Sequence, residues 1–355
     1  MDFLKDLLAA LSVILNGLPQ GLLALSFGFA SVPTAFAFII GAVGNTMVGS
    51  VAPISFQAET ITLAGTMGKN LQERLSMIFY GGCLMALIGL FGLLETIIQF
   101  IGPVITSGMM AGVGIMLAKV SVNMANSNKV VGLASISSGF LVYFITKDLV
   151  YTIAISVIIS SVISIILKKK IDIDVTGREK IVMQKPILNM DIVRGALSMV
   201  CLNIGANIAF GKITGEIANS NVNVDHLSVI SSVADMASSL FGGGPVESII
   251  SATGSAPNPI LSGVIMMLVM AAILLSGALP KLGKYVPSES ISGFLFVLGA
   301  IVTVPINASA ALSGGSMSFD SVVGGVTMTV TAITDPFLGM LAGLVVKVLA
   351  SAVGF

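Results

Sequence analysis

Four acidic side chains stand in stretches too apolar to leave them in water: Glu59, Asp235, Glu247 and Asp335. An ionisable group inside a bilayer costs several kcal/mol, from about 2.5 upward depending on the scale, so each needs a partner or a task. Glu59 lies in Pro53-Ile-Ser-Phe-Gln-Ala-Glu59-Thr-Ile-Thr-Leu-Ala-Gly65, and Glu247 in Pro245-Val-Glu247-Ser-Ile-Ile-Ser-Ala-Thr-Gly254. Both runs pass from Pro through Glu and hydroxyl residues to Gly. A carboxyl there can hydrogen-bond a solute, or take up the proton that drives its passage; the alternative is that it ties down broken backbone. Asp235 and Asp335 read as closer to helix ends, where a carboxylate satisfies exposed amides or a polar interface. Glu247, Glu59 and Asp235 are the candidates for proton coupling.

Other side chains could complete a site. Pro245 suits the first turn of a helix whose N-terminal amides point into a gap, with Ser248 and Ser251 adding hydroxyls. Phe56 and Phe241 could stack a flat ring, or simply pack. Asn203 and Asn207, spaced i, i+4, share a helix face and would serve a solute edge or glue helices together. The run Phe241-Gly-Gly-Gly-Pro245 lacks the Lys-Ser/Thr of a phosphate loop, so nucleotide binding is not expected. There is no HExxH or GxSxG motif, and Cys83, Cys201 and His226 form no ligand cluster. No enzyme activity, metal or cofactor is therefore expected.

These residues need a membrane scaffold. Hydrophobic residues make up 55% of 355 and charged ones 10%, against roughly 25% charge in a soluble domain; the mean hydropathy is +1.03. With 17 basic and 17 acidic residues no basic surface awaits nucleic acid. A crossing helix needs roughly 20 apolar residues. The apolar runs predict about fourteen segments, at 7–30, 32–50, 53–66, 71–92, 95–118, 130–146, 148–167, 192–213, 227–242, 244–255, 259–279, 287–306, 320–334 and 336–353. The run after Lys5 reads as the first span rather than a signal peptide, because another apolar segment follows it. The expected fold is an all-α polytopic membrane protein of a prokaryotic inner or plasma membrane.

The third and tenth segments are too short and polar to span, and they hold matching places in two halves of seven, 1–167 and 192–355, around a polar linker at 168–191. Paired broken segments of this kind point to a transporter's binding site inside a 7+7 inverted repeat with half-helices at segments 3 and 10. Grouping loops by parity puts 13 of the 17 basic residues on one side and Lys5, Lys147, Lys212 and Lys347 on the other. The positive-inside rule then places the basic side in the cytoplasm and both termini outside.

Several stretches resemble the nucleobase-cation symporters, the xanthine and uracil permeases, and among them the guanine/hypoxanthine branch. Ala234-Asp235-Met-Ala-Ser-Ser-Leu-Phe-Gly-Gly-Gly-Pro245-Val is similar to that family's ninth helix and its Gly-x-x-Pro turn. Ser248 to Gly254 is similar to its tenth half-helix, Leu279-Pro-Lys-Leu-Gly-Lys-Tyr-Val-Pro287 to the link after its eleventh, and Thr327 to Gly339 to its thirteenth-to-fourteenth turn. Gly102-Pro-Val-Ile-Thr-Ser-Gly108 resembles the start of its fifth helix. The resemblance implies a core of segments 1–4 and 8–11 moving, elevator-like, against a gate of 5–7 and 12–14. It also implies cytoplasmic termini and a purine or pyrimidine bound by Glu59, Asn203, Glu247 and Ser251, taken up with a proton or Na⁺. A homodimer stays open. The family's acidic residue on segment 8 is matched here by Leu202 or Asn203, and its Glu six places after the Pro by Ser251. The competing reading is an anion transporter of the sulfate-permease type, which shares the inverted-repeat fold; a non-transporting scaffold or receptor is more distant.

Overall fold

The computed structural model describes residues 2–167, 181–313 and 318–353. The first stretch folds as α1 (Asp2–Ser26), α2 (Ser31–Val48), a short strand β1 (Ile54–Ser55), α3 (Ala58–Met67), α4 (Leu71–Leu90), α5 (Leu94–Ile101), α6 (Pro103–Ser127), α7 (Lys129–Thr146) and α8 (Leu149–Ile166). The second holds α9 (Met190–Leu202), a π turn (Asn203–Asn207), α10 (Ile208–Ile217), α11 (Val224–Ser239), β2 (Glu247–Ser248), a 3₁₀ turn (Ala252–Ser255), α12 (Pro259–Leu275) and α13 (Ala278–Gly283). Next come α14 (Ser292–Phe296), a second π turn (Val297–Thr303), α15 (Val304–Ala311), α16 (Phe319–Ile333) and α17 (Pro336–Val353). Among the described residues eight helices or continuous helical runs are long and apolar enough to cross a membrane. The protein is a mostly helical, multi-pass membrane protein.

Polar caps set the boundaries. Asn70, Asp148, Asn189, Asn223 and Ser318 each accept a first-turn amide of the helix that follows, which satisfies donors no helix can satisfy itself. The segment expected at 95–118 is divided instead: Gly102, at φ 83°, ends α5 and Pro103 opens α6. Glycines on α6 allow close packing. A Cβ at Gly108 would lie 2.7 Å from Gly324 O, and one at Gly112 2.7 Å from Met328 O, so α6 and α16 meet backbone to backbone.

Hydrogen bonds knit the two ends of the bundle. At one, Arg74 Nη1 donates to Phe27 O, Lys69 pairs with Asp191, Gln72 reaches Lys185 O and Gln184 N donates to Leu240 O. At the other, Lys212 pairs with Glu95, Leu94 N donates to Asp225, Lys347 to Phe100 O, and Asn258 N to Asp6. Most of the expected linker, residues 168–180, lies outside the described residues.

The tenth segment departs from expectation. Helix was predicted over 244–255, yet the chain there is extended, forms β2, and winds only into the 3₁₀ turn. The run is short and β-branched around Val246, Ile249 and Ile250, and it has a strand partner to satisfy its amides. Pro245 therefore opens no helix, and Glu247 and Ser251 do not share a helical face.

Candidate functional site

β1 and β2 pair antiparallel, Ile54 opposite Ser248 and Ser55 opposite Glu247, where two broken segments from distant parts of the chain cross. All four residues are buried. The crossing is wrapped by helices: β2 touches the first π turn, α10 and α11, while β1 touches α2. Directly after β1, Gln57 caps α3, and Ile61 N–H is the first to close on Gln57 O, at 3.0 Å. The amides of Ala58, Glu59 and Thr60 thus begin the helix without intrahelical acceptors, a concentration of positive dipole.

The side chains at this crossing are polar and buried. Thr60 Oγ1 donates to Gln57 Oε1 at 2.8 Å, while Gln57 Nε2, Ser55 Oγ and Thr62 Oγ1 are buried with no protein partner among the described residues. Buried polar atoms normally have partners, and these three lie within eight residues of one another, while Asn16, Asn45, Ser161, Ser164, Ser290 and Thr331 carry other such atoms elsewhere in the bundle. Glu59, buried in the first turn of α3, belongs to the same group. Asp235, inside α11, accepts the amide of Val246 at 2.7 Å, which puts its carboxyl beside the residue that precedes Glu247. The structure thus brings Glu59, Asp235, Glu247 and Ser248 to one region; Ser55, Gln57 and Thr62 were missed by sequence reasoning, because nothing distinguishes them from ordinary packing hydroxyls and amides.

Other expected residues go elsewhere. Ser251 caps the 3₁₀ turn, pairing with Thr253 Oγ1 at 2.7 Å, and its amide donates to Thr214 Oγ1. Phe56 packs edge-on to Phe38, with ring centroids 5.3 Å apart, so it fills core. Phe241 packs edge-on to Phe36 beyond the end of α11. Asn203 is buried at the start of the π turn beside β2; five residues of π geometry replace the α spacing expected to align it with Asn207, whose side chain lies outside the described ones. The glycine run is packing: Gly242 takes φ 97°, Gly244 N donates to Thr34 Oγ1, Ser238 Oγ donates to Gly244 O, and Ala30 N reaches Gly242 O. Asp335 sits away from the crossing. Arg194 and Ser198 of α9 bind it, and it accepts Leu338 N at 3.0 Å.

A cleft of about 370 Å³ opens at the end of the bundle that carries Lys69 and Arg74, lined by Thr66, Lys119, Asn123, Arg194 and Thr334 among others. A second cavity of about 340 Å³ shares Thr66, Val120 and Asn123 with it.

No family model and no curated protein matches the chain in sequence. Solved structures do match the fold. The transmembrane domain of the cyanobacterial bicarbonate transporter BicA superposes with TM-score 0.70 at 17% identity, over 97% of this chain and 98% of that one. SLC26A9 matches with TM-score 0.72 at 14% identity, over 98% of this chain and 65% of that one. The murine Slc26a9 anion transporter in its inward-facing state matches with TM-score 0.69 at 14% identity, over 99% of this chain and 68% of that one. These identities show the fold, that of a polytopic membrane transporter. They also overturn the expected family: the matching proteins are named as bicarbonate and anion transporters, not as xanthine, uracil or guanine/hypoxanthine permeases. The stretches behind that resemblance, around the glycine run, Ser251 and Thr327 to Gly339, serve here as turns, caps and close packing, features of the fold rather than of a purine-binding surface.

Proposed function

We propose that the protein is a secondary transporter for a small anion, bound at the crossing of β1 and β2 in front of α3. The observation that carries this is the group of orphaned donors, Gln57 Nε2, Ser55 Oγ and Thr62 Oγ1, beside the open amides at the start of α3. Amides and hydroxyls facing a helix N-terminus are a setting for negative charge. The bicarbonate and anion transporters that share the fold support the same solute class.

Glu59, Asp235 and Glu247 would repel an anion if all were ionised. A cation taken up beside Asp235 and Glu247, H⁺ or Na⁺, cancels one of those charges, lessens the repulsion and links the anion's passage to the cation's gradient. Asn203 and Ser248 complete the wall of the site. The segment pattern supports a 7+7 inverted repeat of fourteen segments, halves 1–167 and 192–355, with the α1–α4 and α9–α13 group moving against α6–α8 and α14–α17. The location that suits this is a prokaryotic plasma membrane.

Purified protein in liposomes should take up radiolabelled bicarbonate, sulfate or chloride saturably, and faster under an imposed H⁺ or Na⁺ gradient. If none of the three accumulates under either gradient, the reading is wrong. Asp235→Asn should lower gradient-driven uptake by about tenfold while leaving counterflow exchange measurable; equal gradient dependence in both proteins would remove Asp235 from coupling.

A further inference from the structure

The cleft at the basic end has two walls. Thr66 and Met67 of α3 and Arg194 of α9 form one; Met116, Lys119, Val120 and Asn123 of α6, with residues 332–334 at the end of α16, form the other. One ion pair joins them. Arg194 Nε donates to Asp335 Oδ2 at 2.6 Å and Nη2 lies 2.5 Å from the same oxygen, while Ser198 Oγ donates to Oδ1 at 2.7 Å. Arg194 and Ser198 are one turn apart on α9, so a single helix face grips both carboxylate oxygens. Asp335 directly follows the 332–334 stretch of the other wall and precedes α17.

We propose that this cluster is a latch that holds the cleft open at the basic end and must release each time the cleft closes. The proposal rests on the reading that the α1–α4 and α9–α13 group moves against α6–α8 and α14–α17. Its physical basis is the contrast among the three ion pairs of the described residues. Lys69–Asp191 and Lys212–Glu95 are exposed on both sides, by 41% or more, and pairs of that kind contribute little. In Arg194–Asp335 the carboxylate side chain is 0% exposed. Sliding α9 past the α16–α17 turn would strip it of Arg194 and Ser198 and leave only the Leu338 amide. An abandoned buried charge is costly, so the pair biases the protein toward the arrangement in which it forms, the one with the open cleft. A device of this kind changes populations, not the chemistry of the solute site.

The test reads the cleft directly and needs no transported solute, so it stands apart from the uptake experiment. In a chain with Cys83→Ala and Cys201→Ala, Met116→Cys places a thiol on the half-buried α6 wall. A small anionic thiol reagent applied to the detergent-purified protein should label it readily. Adding Asp335→Asn should slow labelling at least fivefold, and the charge-swapped Arg194→Asp with Asp335→Arg should recover most of the rate. Unchanged labelling in a folded Asp335→Asn protein overturns the latch. Should Asp335→Asn not fold, Ser198→Ala keeps both charges and removes one bond; about twofold slower labelling supports the latch, and an unaltered rate overturns it.

Discussion

Gln57 has one end of its amide held by Thr60 and the other turned into buried space without a protein acceptor. Replacing it with Leu removes that donor and also leaves the buried Thr60 hydroxyl without its acceptor, which should cost about 1–3 kcal/mol of stability, while uptake per folded protein should fall by about tenfold in kcat/KM, the scale of one hydrogen bond to a charged solute. Liposome uptake normalised to folded protein, beside a thermal melt of the same preparation, separates the two effects; a lower melt with unchanged uptake per folded protein would show a purely structural role. Glu59, Asp235 and Glu247 were legible beforehand because a charge in an apolar run stands out. Gln57 and Ser55 were not, since their lack of partners is a property of the folded surroundings. The Arg194–Asp335 pair was equally hidden: its members lie 141 residues apart, and each alone reads as a helix-end charge. Asp6, ahead of the first apolar run, drew no notice in the sequence, yet it is buried and accepts the Asn258 amide ahead of α12.

Elements carry a different lesson. Most helices were legible from apolar length, and their ends moved by a few residues where Gly102-Pro103 or a π turn intervened. The tenth segment was not, because a short β-branched run fits helix or strand equally well and only the presence of β1 decides. The glycine loop before it is an element in its own right. A Cβ on Gly243 would lie 2.6 Å from Thr34 N and 2.9 Å from Pro33 C, backbone atoms that cannot swing aside. Gly243→Ala should therefore destabilise the protein by about 1–3 kcal/mol, read as a lower midpoint in thermal unfolding in detergent. Gly325→Ala, where the nearest atom stands 3.9 Å away, is the control and should leave the midpoint unchanged.

At the scale of the whole molecule, charge is divided between the two ends. Lys69, Arg74, Lys119, Lys129, Lys185, Arg194, Lys281 and Lys284 lie toward the end where the cleft opens, and Lys5, Lys147, Lys212 and Lys347 toward the other. The nucleobase resemblance no longer supports cytoplasmic termini, and the positive-inside rule predicts the cleft end in the cytoplasm. In intact cells an impermeant maleimide should label Asn221→Cys and not Ser127→Cys, in a background without the native cysteines. The reverse pattern would invert the orientation. The multi-pass helical character was readable because it is a sum over many residues. The family was not, because turn and packing motifs recur wherever a chain must break inside a bilayer.

The pairing of Ile54 with Ser248 sets an order on biogenesis. When α8 leaves the ribosome, β1 has already been made, while its partner lies more than eighty residues further along the chain. Until β2 arrives, the backbone of Ile54 and Ser55 lacks its strand partner in an environment that tolerates no unsatisfied amide. Closure of the site must therefore wait for a contact of long sequence separation. A truncated first half would be a natural substrate for membrane quality control.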